Sequence, residues 1–88
     1  MVLDLDNTLI YTSFTPLRNP HFTCRIQEGS RIRKVAAMIR PGARELLENM
    51  APHFEIVIFS SKQGLYANPL INKLDTGRHV AHRLNRRD

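Results

Sequence analysis

The 88-residue chain suffices for one small domain, and its hydrophobic fraction of 42% is that of a globular protein. Its 13 basic and 8 acidic residues give a net charge of +5, which suits an acidic or phosphorylated partner. Cys24 is the only cysteine and no apolar run approaches about 18 residues, which excludes an internal disulfide and a membrane-spanning helix in this segment.

The chain begins with an apolar segment that contains two acidic residues. Residues 1–5 predict a buried strand that turns at Asn7, yet burial of an unpaired carboxylate is costly. Folding alone gives no reason for aspartates at positions 4 and 6, so they point to a functional site. Residues 11–21, with two prolines and no periodicity, predict a loop.

A β-hairpin is predicted next. Residues 22–27 and 31–39 form its strands, and residues 28–30 form the turn. The first strand alternates, so one face carries Phe22, Cys24 and Ile26. Cys24 is therefore expected to be a thiol on the hairpin face or in the core and not a nucleophile.

The second half of the chain alternates helices with strands. A helix is predicted over 42–51, and residues 54–59 have the nearly continuous apolar composition of a central parallel strand. Asn68 and Pro69 suit the N-cap and first position of the next helix, and Leu70, Ile71 and Leu74 should form its inner face. Residues 79–84 predict a weaker final strand.

The order of these elements predicts the fold class. Parallel strands that alternate with helices indicate an α/β sheet, here interrupted by a hairpin insertion. The expected segments are a strand over 1–10, a loop and hairpin over 11–39, a helix and strand over 40–61, and a helix and strand over 62–88.

Polar residues follow two of the predicted parallel strands. Asp4, Asp6 and Thr8 lie at the end of the first strand, and Ser60 and Ser61 follow the second. Ligand sites in open α/β sheets form at the carboxyl ends of the strands. We therefore expect these side chains to lie together at one edge of the sheet.

The two aspartates have a spacing that suits phosphoryl transfer. Residues two apart on an extended strand share a face, so Asp4 and Asp6 should point the same way. Close like charges favour one protonated and one ionised carboxyl, as a general acid beside a nucleophile requires. Carboxylates act as covalent nucleophiles, and Mg²⁺ binds few protein carboxylates and shares phosphate oxygens. The alternative is a strand end with aspartates that cap a turn.

The stretch "DLDNT" resembles the first motif, D-x-D-x-T, of the haloacid dehalogenase (HAD) superfamily. More narrowly, "LDLDNTLIYTSFTP", "RPGARELLENM", "FEIVIFSS" and "LYANPLINKLD" resemble the phosphatases of the RNA polymerase II C-terminal domain and their Dullard-like relatives. The resemblance implies a HAD-like, Rossmann-like parallel sheet. It also implies a Mg²⁺-dependent protein serine/threonine phosphatase that forms an aspartyl-phosphate, acts on a phosphorylated protein or peptide, and works in the nucleus or cytoplasm.

The resemblance assigns roles to residues of the two motifs. Asp4 would be the nucleophile and a Mg²⁺ ligand, and Asp6 the general acid/base, with its backbone carbonyl on the metal. Thr8 would hold the turn of the motif, and Ser60 and Asn7 would contact the phosphate. The family often has Thr-Ala-Ser where this chain has Ser60, Ser61 and Lys62.

The family's third-motif lysine and fourth-motif acidic pair are expected beyond residue 88. Neither Asp75 nor Asp88 has the setting of that acidic pair. The chain is therefore interpreted as the first part of a larger catalytic domain, with its sheet incomplete. Alone, it is expected to bind Mg²⁺ weakly or not at all and to show no appreciable catalysis.

Two further functions stay open on the same fold. The receptor subunit of the mitochondrial inner-membrane translocase is also similar to this family, and it would imply presequences and translocase subunits as partners. "FSSKQG" favours that branch, whereas the retained Asp4 and Asp6 and the hairpin insertion favour the phosphatases. A regulatory pseudo-phosphatase would need a damaged third or fourth motif.

The basic residues near the end of the chain are interpreted as a solvated surface. Few aromatic residues interleave with them, so no direct nucleic-acid binding is expected. The members of this basic cluster are Arg78, Arg83, Arg86 and Arg87.

Overall fold

The computed structural model describes residues 1–86, and these form two three-stranded sheets and two helices. In chain order, the elements are β1 (Val2–Asp4), β2 (Ile10–Ser13), β3 (Phe22–Glu28), β4 (Arg31–Ile39), α1 (Ala43–Met50), β5 (Ile56–Gln63), α2 (Gly64–Leu74) and β6 (Val80–Arg86). Within residues 1–86, no helix is long and apolar enough to cross a membrane.

The first sheet is parallel and confirms the predicted α/β class. Its strand order is β1-β5-β6, with β5 in the centre. Ile56 and Ile58 are fully buried on the inner face of β5, whereas the outward side chain of Phe59 is 46% exposed. The nearly continuous apolar run therefore has only one buried face within residues 1–86. Phe54, predicted to begin the strand, precedes it and is exposed.

The second sheet is antiparallel and contains the predicted hairpin, with strand order β2-β4-β3. Gly29 lies in the hairpin turn with φ of 62°, a left-handed conformation that glycine adopts without a steric penalty. The prediction of a loop over residues 11–21 is wrong for its first part, since β2 pairs with β4 over Ile10–Ser13. A four-residue strand is too short to show a period, and its partner strand lies more than twenty residues away.

Helix α1 agrees with its prediction, but α2 begins earlier than predicted. Asn68 and Pro69 were expected at its N-cap and first position, yet the helix starts at Gly64 and Pro69 lies inside it. The additional turn buries Tyr66 and Ala67 against the core, and this burial outweighs the local preference of proline for a helix start.

Helix α2 connects the two sheets, because it contacts both β3 and β5. Its inner face buries Leu70, Ile71 and Leu74 completely, as the sequence predicted. Cys24 on β3 is partly buried and packs against this core. The packing holds the ends of β1 and β5 and the start of α2 in one small region.

Candidate functional site

The loop after β1 is a compact turn built on the carbonyl of Leu5. This oxygen accepts hydrogen bonds from the backbone N–H groups of Thr8, Leu9 and Ile10, at 3.4, 3.0 and 3.2 Å. Asn7 has φ of 59°, a left-handed conformation that asparagine tolerates better than most residues. The predicted turn at Asn7 is therefore confirmed.

Asp4 ends β1 and is exposed to solvent. The Thr8 hydroxyl donates a hydrogen bond of 3.5 Å to Oδ2 of Asp4. The Thr8 carbonyl accepts one of 3.4 Å from the Arg40 guanidinium. Thr8 thus links the turn to the strand end and orients one Asp4 oxygen, while the second Asp4 oxygen remains available to a ligand.

The Asp6 side chain contacts the end of β5. Asp4 and Asp6 flank Leu5, which is fully buried, and both are more exposed than Leu5. That the two carboxylates point the same way stays a prediction. Oδ2 of Asp6 accepts a hydrogen bond of 3.1 Å from the Ser60 hydroxyl, which is only 1% exposed. The same Ser60 oxygen accepts a bond of 3.1 Å from the backbone N–H of Lys62. The carboxyl end of β5 therefore meets the loop after β1, as the sequence predicted.

Two further candidate residues, Asn7 and Ser61, are exposed. Asn7 and Thr8 line a cleft of about 600 Å³ between the loop and the end of β4. Ser61 makes no side-chain hydrogen bond within residues 1–86. Neither aspartate lines this cleft, so the phosphate contact expected of Asn7 stays a prediction, and Ser61 is not tied to the site by any contact within residues 1–86.

Tyr66 is a residue of this region to which the sequence analysis assigned no role. It is 9% exposed, and its hydroxyl lies 3.0 Å from the Thr12 hydroxyl. Burial raises the pKa of the Tyr66 phenol. The hydrogen bond to Thr12 lowers this pKa in part, and the negative charge of Asp6 raises it further. Tyr66 lies in "LYANP", part of one of the stretches that resemble the family. The sequence therefore contained a signal for Tyr66, although no role was assigned to this residue.

Asp75 has a structural role that explains its burial. Its carboxylate accepts hydrogen bonds of 2.8 and 2.9 Å from the backbone N–H groups of His79 and Val80, where the chain enters β6. Both carboxylate oxygens of Asp75 are therefore engaged by the backbone at the start of β6. Asp88 lies outside the described residues.

The basic cluster is partly engaged with α2. The Arg83 guanidinium donates hydrogen bonds of 3.1 Å to Asn68 Oδ1 and 2.7 Å to Asn72 Oδ1. Arg83 is exposed, as the predicted solvated surface requires, and it also fastens β6 to the helix. Arg78 and Arg86 are exposed, and Arg87 lies outside the described residues.

A comparison with protein families shows the family to which the chain belongs. The family model described as "NLI interacting factor-like phosphatase" matches residues 1–88, and the chain belongs to this family. A probable C-terminal domain small phosphatase of Dictyostelium discoideum is 41% identical over 86 residues, which are 98% of this chain and 28% of that protein. Phosphatase PSR1 of Saccharomyces cerevisiae is 37% identical over 86 residues, which are 98% of this chain and 20% of that protein.

A solved structure supports the same fold. The fission yeast RNA polymerase II CTD phosphatase Fcp1 bound to beryllium fluoride matches with a TM-score of 0.79 and 20% identity, over 96% of this chain and 28% of that chain. The HAD-like fold class is thereby confirmed. The chain spans less than a third of the length of the curated relatives described above. Those relatives are named as phosphatases and do not support the presequence-binding translocase as an alternative.

Proposed function

We propose that the protein is a Mg²⁺-dependent protein serine/threonine phosphatase that acts through an aspartyl-phosphate on Asp4. The observation that carries the proposal is the hydrogen bond between Ser60 and Asp6, residues 54 apart in sequence. It joins the two motifs that the family resemblance assigned to one site. Membership in a family of phosphatases supports the reaction class.

Residues 1–86 supply part of a donor set for Mg²⁺, although they contain no group of three or more acidic, histidine or cysteine side chains that could hold a metal. Asp4 presents an exposed carboxylate, and the Asp6 carbonyl accepts no hydrogen bond within residues 1–86. Mg²⁺ takes few protein carboxylates and completes its shell with water and phosphate oxygens. Asp4 and the Asp6 carbonyl would hold the ion, and the ion would neutralise charge on the phosphoryl group.

The first half of the proposed reaction transfers the phosphoryl group to the protein. The Asp4 oxygen that does not bond Thr8 attacks phosphorus, and the bond to the substrate's serine or threonine oxygen breaks. Asp6, protonated at this stage, gives its proton to the leaving oxygen. In the second half, water attacks the aspartyl-phosphate, Asp6 takes a proton from the water, and phosphate leaves with Asp4 restored.

The single proton of Ser60 constrains this scheme. A hydroxyl has one donor and two acceptor sites, and here the donor serves Asp6 while one acceptor serves the Lys62 N–H. When Asp6 carries a proton, it can donate to Ser60 while the substrate binds, and the Ser60 proton is then free for a phosphoryl oxygen. The same Asp6 proton must leave Ser60 when it passes to the leaving oxygen, and Ser60 then donates to Asp6 again. The protonation state of Asp6 and the phosphate contact of Ser60 are therefore coupled.

The experiment is replacement of Asp4 by Asn in the full-length protein. Asn keeps an oxygen for the Thr8 hydroxyl but loses the nucleophile, so turnover of a phosphoserine peptide should fall at least about 10³-fold. Glu48→Gln, on the exposed face of α1, is a charge-matched control that should retain turnover.

Two further measurements complete this test. Wild-type protein, quenched during turnover, should carry phosphate that hydroxylamine removes, and EDTA should stop turnover. Retained activity of Asp4→Asn, or turnover without covalent phosphate on Asp4, would contradict the proposed role.

A further inference from the structure

Four side chains form a continuous row of alternating cationic and aromatic groups beside the candidate site. The Arg33 guanidinium lies 3.7 Å from the centroid of the Phe14 ring, within the range of a cation–π contact. Phe14 meets Tyr66 edge-on, with centroids 6.3 Å apart and planes at 64°. Lys62 Nζ lies 5.7 Å from the centroid of the Tyr66 ring. We call these four residues the cation–aromatic row.

The row is continuous with the residues proposed to bind phosphate. The backbone N–H of Lys62 donates to the Ser60 hydroxyl, which in turn donates to Asp6. At the same end, the Tyr66 hydroxyl contacts Thr12. A segment of polypeptide whose phosphorylated residue lies at Asp4 would therefore pass next to this row.

The two cations of the row are available to an anionic ligand. No salt bridge to Lys62 is present within residues 1–86. Arg33 pairs with Glu28 at 3.3 Å, but both side chains are about half exposed, so this pair contributes little stability. Glu28 lies directly opposite Arg31 in the hairpin and keeps a cationic neighbour if Arg33 turns to a ligand.

Only one ring of the row is accessible. Phe14 is 41% exposed, whereas Tyr66 is 9% exposed. The Phe14 ring contacts the Arg33 guanidinium and meets Tyr66 edge-on, so the two rings lie between the two cations in the row. Arg33 and Lys62, both exposed, are the groups that an acidic side chain can reach.

We propose that the cation–aromatic row selects phosphorylated segments that carry acidic residues next to the phosphorylated residue. Arg33 and Lys62 are the specificity-determining residues of this preference, and Phe14 and Tyr66 position them. The inference rests on the proposed phosphatase function, because it names the class of segment that the same site receives.

The test compares two phosphoserine peptides on the full-length protein. One peptide has Glu and the other Gln at the three positions on each side of the phosphoserine. The measured quantities are the ratio of kcat/KM for the two peptides and, by fluorescence anisotropy, the ratio of their affinities. Two exposed ion pairs should place both ratios, Glu peptide over Gln peptide, between about 2 and about 30. Raising the NaCl concentration should reduce both ratios.

The charge variants decide the assignment. In the Arg33→Gln, Lys62→Gln double variant, both ratios should fall to near 1. The matched control is Lys73→Gln. Lys73 is an exposed lysine in the last turn of α2 and makes no side-chain contact with the row. The control variant should keep the wild-type ratios.

The outcomes separate this inference from the proposed function. A double variant that retains the wild-type ratios, or that slows both peptides equally, overturns the role of Arg33 and Lys62 in selection. A wild-type ratio near 1 also overturns it. Absence of wild-type turnover on both peptides contradicts the phosphatase proposal alone, and the ratio of affinities then still decides whether the row selects acidic segments.

Discussion

Replacement of Ser60 by Ala tests whether the contact between the two motifs contributes to stability. The Ser60 oxygen is 1% exposed and makes two hydrogen bonds of 3.1 Å, one to the Asp6 carboxylate and one from the Lys62 N–H. A neutral hydrogen bond contributes about 0.5–1.5 kcal/mol and one to a charged group about 1.5–3 kcal/mol. Because Asp6 is partly exposed, water can replace part of the hydrogen bond that its carboxylate loses. We therefore expect destabilisation of about 1–3 kcal/mol.

The assay is urea-induced unfolding of wild type, Ser60→Ala and Ser61→Ala, followed by circular dichroism. Ser61 is the neighbouring residue, has the same side chain and is exposed, so its replacement should change the free energy of unfolding by less than about 0.5 kcal/mol. The slope with denaturant should be the same in all three proteins. If Ser60→Ala and Ser61→Ala have equal free energies of unfolding, the Ser60 hydroxyl does not hold β5 to the loop, and the reasoning is refuted.

Three further predictions concern groups outside the proposed chemistry. Asp75→Ala removes the acceptor of two backbone N–H groups at the start of β6 and should destabilise the protein by about 2–4 kcal/mol in the same unfolding assay, whereas the exposed Thr76→Ala should not. Burial raises the pKa of the Cys24 thiol, so iodoacetamide at pH 8 should modify it more slowly than it modifies the same protein in urea; equal rates would contradict this. Burial also raises the pKa of Tyr66, so the folded state retains the phenol proton longer than the unfolded state does. Stability should therefore decrease as the pH rises through the ordinary tyrosine pKa of about 10, and the decrease should be smaller in Tyr66→Phe.

Local signals were sufficient for the elements that carry a strong pattern. The apolar run around Ile56 and Ile58 predicted the central strand of the parallel sheet, and the helical spacing of Leu70, Ile71 and Leu74 predicted the buried face of α2. Periodicity is a property of neighbouring residues, so it is visible without knowledge of the partner surface.

Signals that depend on distant partners were missed or placed wrongly. β2 exists because Ile10–Ser13 pairs with β4, and the four residues alone have no strand signature. Helix α2 starts at Gly64 because Tyr66 and Ala67 find a buried site, although Asn68 and Pro69 form a good local helix start. Arg83 is exposed as predicted, but its hydrogen bonds to two asparagines of α2 could not be seen in the sequence.

By itself, the sequence determined the α/β order of elements, the turn at Asn7 and the identity of the two aspartates as candidates for chemistry. The prediction of a buried strand at residues 1–5 is wrong for most of β1, because Val2 is 67% exposed, Asp4 is exposed and Asp6 is only partly buried. The cost of a buried carboxylate therefore did not apply, and the resemblance to D-x-D-x-T was the signal that singled out the two aspartates. Only the tertiary structure decided that Asp6 meets Ser60 while Asp4 is held by Thr8. It also brought Arg33, Phe14, Tyr66 and Lys62 into one row. The contacts of Asp6 with Ser60, of Arg33 with Phe14 and of Phe14 with Tyr66 join residues far apart in the chain. They exist because the pairing of the strands and the packing of α2 set the distances between side chains.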